Sequence, residues 1–354
     1  MAFTESYYEY IIAREIWRVF PPLYLCIGTV GNVLTFLVMC RKGMRHLPSA
    51  LYLAALAVTD TVAIWVGLMR HILKEYNGYD LLRSSLFMCL GQRFVLYFAL
   101  DASAWILVVV TLERFISVVV PYRLNLKFSM KRARISLIIV AVFTTFQDSY
   151  VFFTRGLEYD INSNGTEVLV DVCGFVSPNA KYFWEEILPW YVSSFYVLGP
   201  FLSMIILNSF IIRKLFILRK TRLDASVSLS RTSQQSNRDV SCSQQDSERS
   251  SVSRPDNTVS FTIMLLWVSF IFLILTFPST VNLLMEKRIA KESDPHRRAV
   301  FALVVSIAHV MNYLNHTVTF FLYCLTGKRF RRELCKMFSD LRVFCSRSRV
   351  EPHI

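Results

Sequence analysis

Charge is what this 354-residue chain has little of. Asp, Glu, Lys and Arg together make up 18% of it, against 54% hydrophobic and 14% aromatic residues. Mean hydropathy is +0.41. A soluble domain of this length carries more surface charge, so a soluble enzyme is excluded. The polar residues are not gathered into a folded unit either. The longest polar stretch, 219–257, is rich in Ser, Gln and Arg, lacks apolar periodicity and reads as a disordered loop. Acids are scarcer than bases, 26 against 39, for a net charge of +13. With no folded soluble domain to bind nucleic acid, that excess reads as membrane-surface and orientation charge. The N-terminal MAFTESYYEYIIAREIW has no cationic start ahead of an apolar core, so no cleavable signal peptide is expected.

Long apolar runs are present instead. A membrane-spanning helix needs about 20 mostly apolar residues. Seven segments supply them: 20–40, 50–72, 86–112, 133–154, 187–218, 259–285 and 299–325. The expected fold class is an all-α membrane protein, a seven-transmembrane helix bundle. Residues 1–19 form the extracellular N-terminus, 20–338 the bundle domain (with 219–257 as its disordered cytoplasmic loop) and 339–354 the cytoplasmic tail. Placing the C-terminus inside puts 26 of the 39 Lys and Arg on the cytoplasmic side, which is the positive-inside bias. A seven-span channel or transporter would show repeat symmetry or charge lining several spans, and neither is visible.

The loops carry further signals. GLEYDI and TEVLVDVCGF flank an Asn-Ser-Asn-Gly turn, with Val168, Val170 and Val172 alternating, which predicts a β-hairpin in the largest outer loop. Asn164 heads a glycosylation sequon at that turn, whereas the second match, Asn315-His316-Thr317, lies inside a span. Of eight cysteines, Cys26, Cys40 and Cys324 lie within spans, as small hydrophobes, and Cys242, Cys335 and Cys345 face the reducing side. Only Cys89 and Cys173 face the oxidising side, so one bridge is available there. Cys335 and Cys345, beside basic residues, are palmitoylation candidates, with chance cysteines as the alternative. Ser230, Ser233, Ser250 and Ser253 stand in Arg context as kinase sites or as parts of a plain solvated linker.

From Cys89 to Arg114 the third span is long enough, about 37 Å of helix, to cross the ~30 Å core, which puts Glu113 and Arg114 at its cytoplasmic end. Several motifs stand in order around it. They are Gly31-Asn32-Val33, Leu56-Ala57-Val58-Thr59-Asp60, Cys89, Glu113-Arg114-Phe115, Pro121, Cys173, Pro200, Phe272 with Pro278, Tyr323, and Phe330 opening the amphipathic FRRELCKMF. In this ordered set, over roughly 20–338, the chain resembles the rhodopsin-like G-protein-coupled receptors. The resemblance implies a plasma-membrane receptor, not an enzyme, with an amphipathic helix after the last span. It implies coupling to a heterotrimeric G protein through Glu113, Arg114, Phe115 and Tyr323, a helix-six pivot at Phe272 and Pro278, and partners including arrestin, receptor kinases and membrane lipids. It also implies an allosteric sodium ion held by Asp60 with Asn32, Ser103 and Asn315. A neutral, hydrogen-bonded Asp60 is the alternative, since burial favours protonation. The chain departs from the family at Thr276 (usually Trp), Asn208 (usually Tyr), Thr258 (often Glu) and Thr319-Phe320 (usually Asn-Pro).

For the ligand, Leu96 stands where monoamine receptors have Asp, and no Lys lies within 299–325 to hold retinal. The outer half of the bundle offers Arg70, Lys74, Arg93, Tyr97, Asp101, Glu186, Trp190, His309 and Asn312 at depths where the family binds ligands. Mixed charge, aromatics and a hairpin lid fit a peptide, and a neuropeptide is expected. A small anionic or lipid ligand is the alternative, drawn from Arg70, Lys74, Arg93 and His309. Helix-end residues snorkelling to the interface are the plainer reading of Arg70 and Lys74. For Asp101 the plainer reading is a hydrogen bond to a neighbouring helix.

Overall fold

The structure, a computed structural model, describes residues 7–119, 130–161, 166–236, 256–290 and 292–348. Among the described residues, seven helices are long and apolar enough to cross a membrane: Tyr8–Cys40, Pro48–Asn77, Leu86–Val118, Met130–Thr154, Pro178–Ile217, Leu266–Met285 and Pro295–Thr326. They are called the first to seventh helices in that order. An eighth, Lys328–Ser348, follows the last span. The third helix is the most enclosed, with 61% of its apolar window buried, and the fourth and fifth form the rim at 28% each. The residues at the third helix's centre therefore touch most of the bundle.

Local chemistry sets several boundaries. Pro occupies the first turn of the second and seventh helices and of the short helix that opens the fifth, where its missing N–H costs nothing. Ser177 and Asp294 cap the latter two by accepting from the N–H groups of Ala180 and His296. Gly78 ends the second helix in the left-handed conformation, φ 67°, with its N–H on the Lys74 carbonyl.

Two boundaries differ from the sequence expectation. Residues 8–19, part of the segment set apart as an N-terminus, are helical and pack on the bundle. Ile16, Trp17 and Phe20 join a cluster with Tyr24, Leu25, Ile64, Leu68, Val310 and Tyr313. Trp17 Nε1 donates to Ser306 Oγ at 3.0 Å, and Glu9 meets His296 at 3.1 Å. The fifth helix runs on to Ser236, so 219–236 of the expected disordered loop is helical. Its Arg, Leu and Gln residues are good helix formers, and propensity outweighed the lack of apolar periodicity. The remainder, 237–255, lies outside the described residues.

The fifth helix is not uniform. It contains two π-turns, Phe183–Ile187 and Ser193–Leu198, each just ahead of a proline, Pro189 and Pro200. Proline offers no N–H to the carbonyl four residues back, and the chain widens there instead of breaking. One consequence falls on Trp190. Each π-turn adds a residue and rotates the next turn by about 100° relative to an α-helix. Trp190 accordingly stands on the outer surface, 67% exposed, and Tyr191 turns inward in its place.

Helix pairs in lipid gain little from the hydrophobic effect and depend on close packing and polar contacts. At Gly67 a Cβ atom would lie 2.7 Å from Cζ of Tyr313, so glycine alone admits this side chain from the seventh helix. Gly67→Val is expected to lower stability by about 1–3 kcal/mol through overpacking, read as a fall in the melting temperature of purified protein. Cys26, within the first span as expected, lines an outward groove of ≈ 420 Å³ with Ile27, Val30, Phe320 and Phe321.

The hairpin forms as expected. Strand β1, Arg155–Ile161, runs antiparallel to β2, Glu167–Phe175, with Arg155 opposite Phe175 and Ile161 opposite Glu167. The turn bearing Asn164 lies outside the described residues. A disulfide joins Cys173 to Cys89 at the start of the third helix, and Arg83 pairs with Asp171 at 3.2 Å. At the far end of the bundle, Glu333 of the eighth helix is buried among Lys336 at 3.2 Å, Arg41 at 3.8 Å and Arg332 at 4.0 Å. Arg41 also reaches Asp340 at 2.5 Å. These ties hold the amphipathic helix against the turn after the first span.

Candidate functional site

The polar side chains inside the bundle form three groups, at the hairpin end, midway and at the far end. Beneath the hairpin, Trp184 of the fifth helix is flanked by two arginines. Arg155 lies 3.9 Å over the rings of both Trp184 and Phe175, and Arg93 lies 5.6 Å from Trp184. Arg155 donates to the Cys173 carbonyl at 3.3 Å, and Nε of each arginine is buried without a hydrogen-bond partner among the described residues. Burial first and the charge of Arg93 second lower the Arg155 pKa to about 10. Tyr97 stacks near Tyr150 and tilts against Trp184. On the opposite side Arg70 contacts His71 at 3.3 Å, and His71 stacks on Trp17 at 3.9 Å. His309 lies 6.2 Å from the same Trp17 ring, and Lys74 is exposed one turn beyond Arg70. Glu186 is half-buried on the fifth helix.

Two residues expected in this outer group are placed elsewhere. Trp190 points outward for the reason given above. Asp101 is buried and engages the fourth helix. Gln147 donates to its carboxylate, and the next residue, Asp148, is buried as well. The Gln-Asp pair inside an otherwise apolar segment was the available signal for this contact.

Midway, Asn312 accepts from Tyr196 at 3.1 Å, and Tyr196 meets Phe272 edge-on at 6.5 Å, which links the fifth, sixth and seventh helices. Phe272 is wholly buried, and its carbonyl accepts from the hydroxyl of Thr276 at 2.6 Å, two residues ahead of Pro278. Asp60 accepts from Ser103 at 2.7 Å and pairs with His316 Nδ1 at 2.7 Å, both on Oδ1. Thr319 reaches Oδ2 at 3.5 Å. Asn32 donates to the His316 carbonyl at 3.1 Å instead of to Asp60, and the Asn315 backbone carbonyl accepts from the Thr319 hydroxyl within the seventh helix. Ser103 thus stands where expected. His316, which the sequence presents only as the middle of a sequon inside a span, is the residue that sequence reasoning missed.

At the far end Arg114 donates to Ser49 at the start of the second helix at 2.6 Å, beside the buried Glu113. Phe115 meets Phe210 of the fifth helix at 5.9 Å. Tyr323 is wholly buried, its hydroxyl unpartnered among the described residues and its ring 5.6 Å from Phe330 of the eighth helix. Cys335 is exposed on that eighth helix, and the Cys345 side chain lies outside the described residues.

The sequence matches a known family. The model of the family described as 7 transmembrane receptor (rhodopsin family) covers residues 31–323. The chain belongs to the rhodopsin family of seven-transmembrane receptors. It is 24% identical over 348 residues to neuromedin-U receptor 2 of Mus musculus, covering 97% of this chain and 81% of that protein. It is 25% identical over 321 residues to the thyrotropin-releasing hormone receptor of Homo sapiens, at 88% and 76% coverage. Members of the family are receptors, not enzymes, and membership implies coupling to G proteins and a multi-pass place in the plasma membrane. In this receptor the Glu-Arg-Phe group of the third helix and Tyr323 flank the end of the bundle that carries the eighth helix. The disulfide-tied hairpin closes the other.

Proposed function

We propose that this receptor binds an extracellular neuropeptide between its hairpin and the outer halves of its helices, and passes the signal to a heterotrimeric G protein at the opposite face. The N-terminus lies outside and the C-terminus inside, in keeping with the Lys and Arg bias. Relatives named as receptors for neuromedin U and thyrotropin-releasing hormone support the peptide class. The observation that carries the reading is the pair Arg93 and Arg155 about Trp184, with both Nε groups buried and unmatched among the described residues. Peptide carbonyls, a C-terminal carboxylate or an acidic side chain supply the acceptors that two forked guanidinium groups need. Tyr97 and Trp184 offer apolar faces for neighbouring side chains. An agonist that binds the open state better than the closed one shifts the population. The sixth helix then moves away at its inner end and exposes Arg114. Asn164, in the outer loop, is a glycosylation site in this reading, and exposed Cys335 a palmitoylation site beside the membrane.

A second reading, a small organic anion as ligand, draws on Arg70, Lys74 and His309, with Arg70 against His71 and His309 near Trp17. A calcium and cyclic-AMP screen of cells expressing the receptor separates the two. A response to a neuropeptide, reduced roughly ten- to hundredfold in potency by Arg155→Ala, supports the first, since a bond to a charged group contributes about 1.5–3 kcal/mol. Silence to every peptide with a response to an organic acid or lipid sinks it.

A further inference from the structure

Family membership raises the question of a sodium ion at Asp60, and the residues around this carboxylate do not fit one. Asp60 is 2% exposed and His316 not at all. A carboxylate oxygen has two lone pairs. Those of Oδ1 are taken by the Ser103 hydroxyl and by Nδ1 of His316, each at 2.7 Å. The imidazole thus occupies the Oδ1 side of the carboxylate in place of a cation. The polar groups around the carboxylate are turned to contacts within and between helices. Asn32 donates its Nδ2–H to the His316 backbone, and the Asn315 backbone carbonyl accepts from the Thr319 hydroxyl. Thr319 presents its hydroxyl to Oδ2 of Asp60 at 3.5 Å.

We infer that His316 takes the position of the family's sodium ion, so that the resting bundle of this receptor is tied together by its own side chain and does not respond to sodium. An intramembrane carboxylate needs a partner, and here a side chain of the seventh helix supplies it through a hydrogen bond. The consequence is regulatory. A diffusible ion leaves the site when the helices rearrange, whereas a histidine moves with its helix. Asp60 on the second helix and Ser103 on the third are bound to the seventh through one ring, so sodium outside the cell loses its means of biasing the closed state. Removing the ring frees one lone pair of Asp60, and Asn32 Oδ1 is already buried and without a hydrogen-bond partner among the described residues. The site then becomes one of oxygen donors alone.

The test needs no agonist and does not depend on the ligand proposed above. Purified receptor in lipid nanodiscs is melted in sodium chloride and in choline chloride at equal ionic strength, with ²³Na NMR line width read in parallel. The wild-type protein should melt identically in the two salts and leave the sodium line unbroadened. His316→Ser should show a saturable rise in melting temperature with sodium. At ten times the dissociation constant the folded-to-unfolded ratio grows about elevenfold. The double variant Asp60→Asn with His316→Ser should lose that rise. A saturable sodium effect on the wild-type protein overturns the inference, and this measurement requires no variant to fold. Insensitivity in both wild type and His316→Ser, checked with His316→Asn as a second replacement, overturns the assignment of the exclusion to this histidine.

Discussion

Arg114→Ala is expected to cut agonist-evoked G-protein activation by roughly ten- to hundredfold, the equivalent of the ~1.5–3 kcal/mol that bonds to a charged group contribute. Ligand affinity should stay close to that of the wild type. Arg114 sits at the end of the bundle opposite the hairpin, bound to Ser49 and beside buried Glu113. The Ser49 hydroxyl is a neutral partner, weaker than a carboxylate would be. Ser49→Ala therefore has an opposite expected sign. It releases one bond of the closed state and raises agonist-free signalling severalfold, whereas Ser49→Asp supplies a carboxylate and lowers it. Nucleotide exchange on purified G protein, compared with radioligand binding on the same membranes, checks all three variants. Full coupling in Arg114→Ala would refute the role given to this residue.

Cys173→Ala is expected to remove ligand binding altogether. The disulfide closes a loop over a sequence separation of 84 residues, for which the chain-entropy model gives about 4–5 kcal/mol. More directly, it fixes β2 against the third helix, and the Cys173 carbonyl is what Arg155 binds. Without the bridge the hairpin and Arg155 lose their common anchor, and the Arg93–Trp184–Arg155 stack is no longer preorganised. Cys89→Ala should reproduce the loss, and the double variant should add nothing, because the two thiols act as one unit. Surface immunostaining of a tagged receptor separates lost binding from lost export. Undiminished affinity at the surface in either single variant would remove the hairpin from the binding argument.

Much of this molecule is legible in its sequence because lipid imposes local rules. Hydropathy marks each span by itself, since a helix in hydrocarbon satisfies its own backbone. The alternating valines and the Asn-Gly turn mark the hairpin in the same local way. Cys89 and Cys173 pair because depth leaves no other choice. The less legible features are those fixed by contacts between distant segments. Apolar content drops too early to show that the first helix begins at Tyr8, because Trp17 is held by Ser306 of the seventh helix and not by local pattern. Regular α-helical spacing puts Trp190 inward, and the π-turn ahead of Pro189 gives that face to Tyr191.

The number of spans, the bias of basic residues between the two sides, the disulfide and the place of Glu113-Arg114-Phe115 at the end of the third helix all follow from residue type and spacing along one segment. Nothing beyond the order of amino acids is needed to read them. The partners of the intramembrane charges are different, because they emerge only once the helices are packed. Asp60 meets His316 from 256 positions away, Asp101 turns to Gln147 on the fourth helix, and Arg114 finds Ser49 on the second. A buried charge takes the partner that packing brings within hydrogen-bond reach, and that depends on how the helices are rotated against one another.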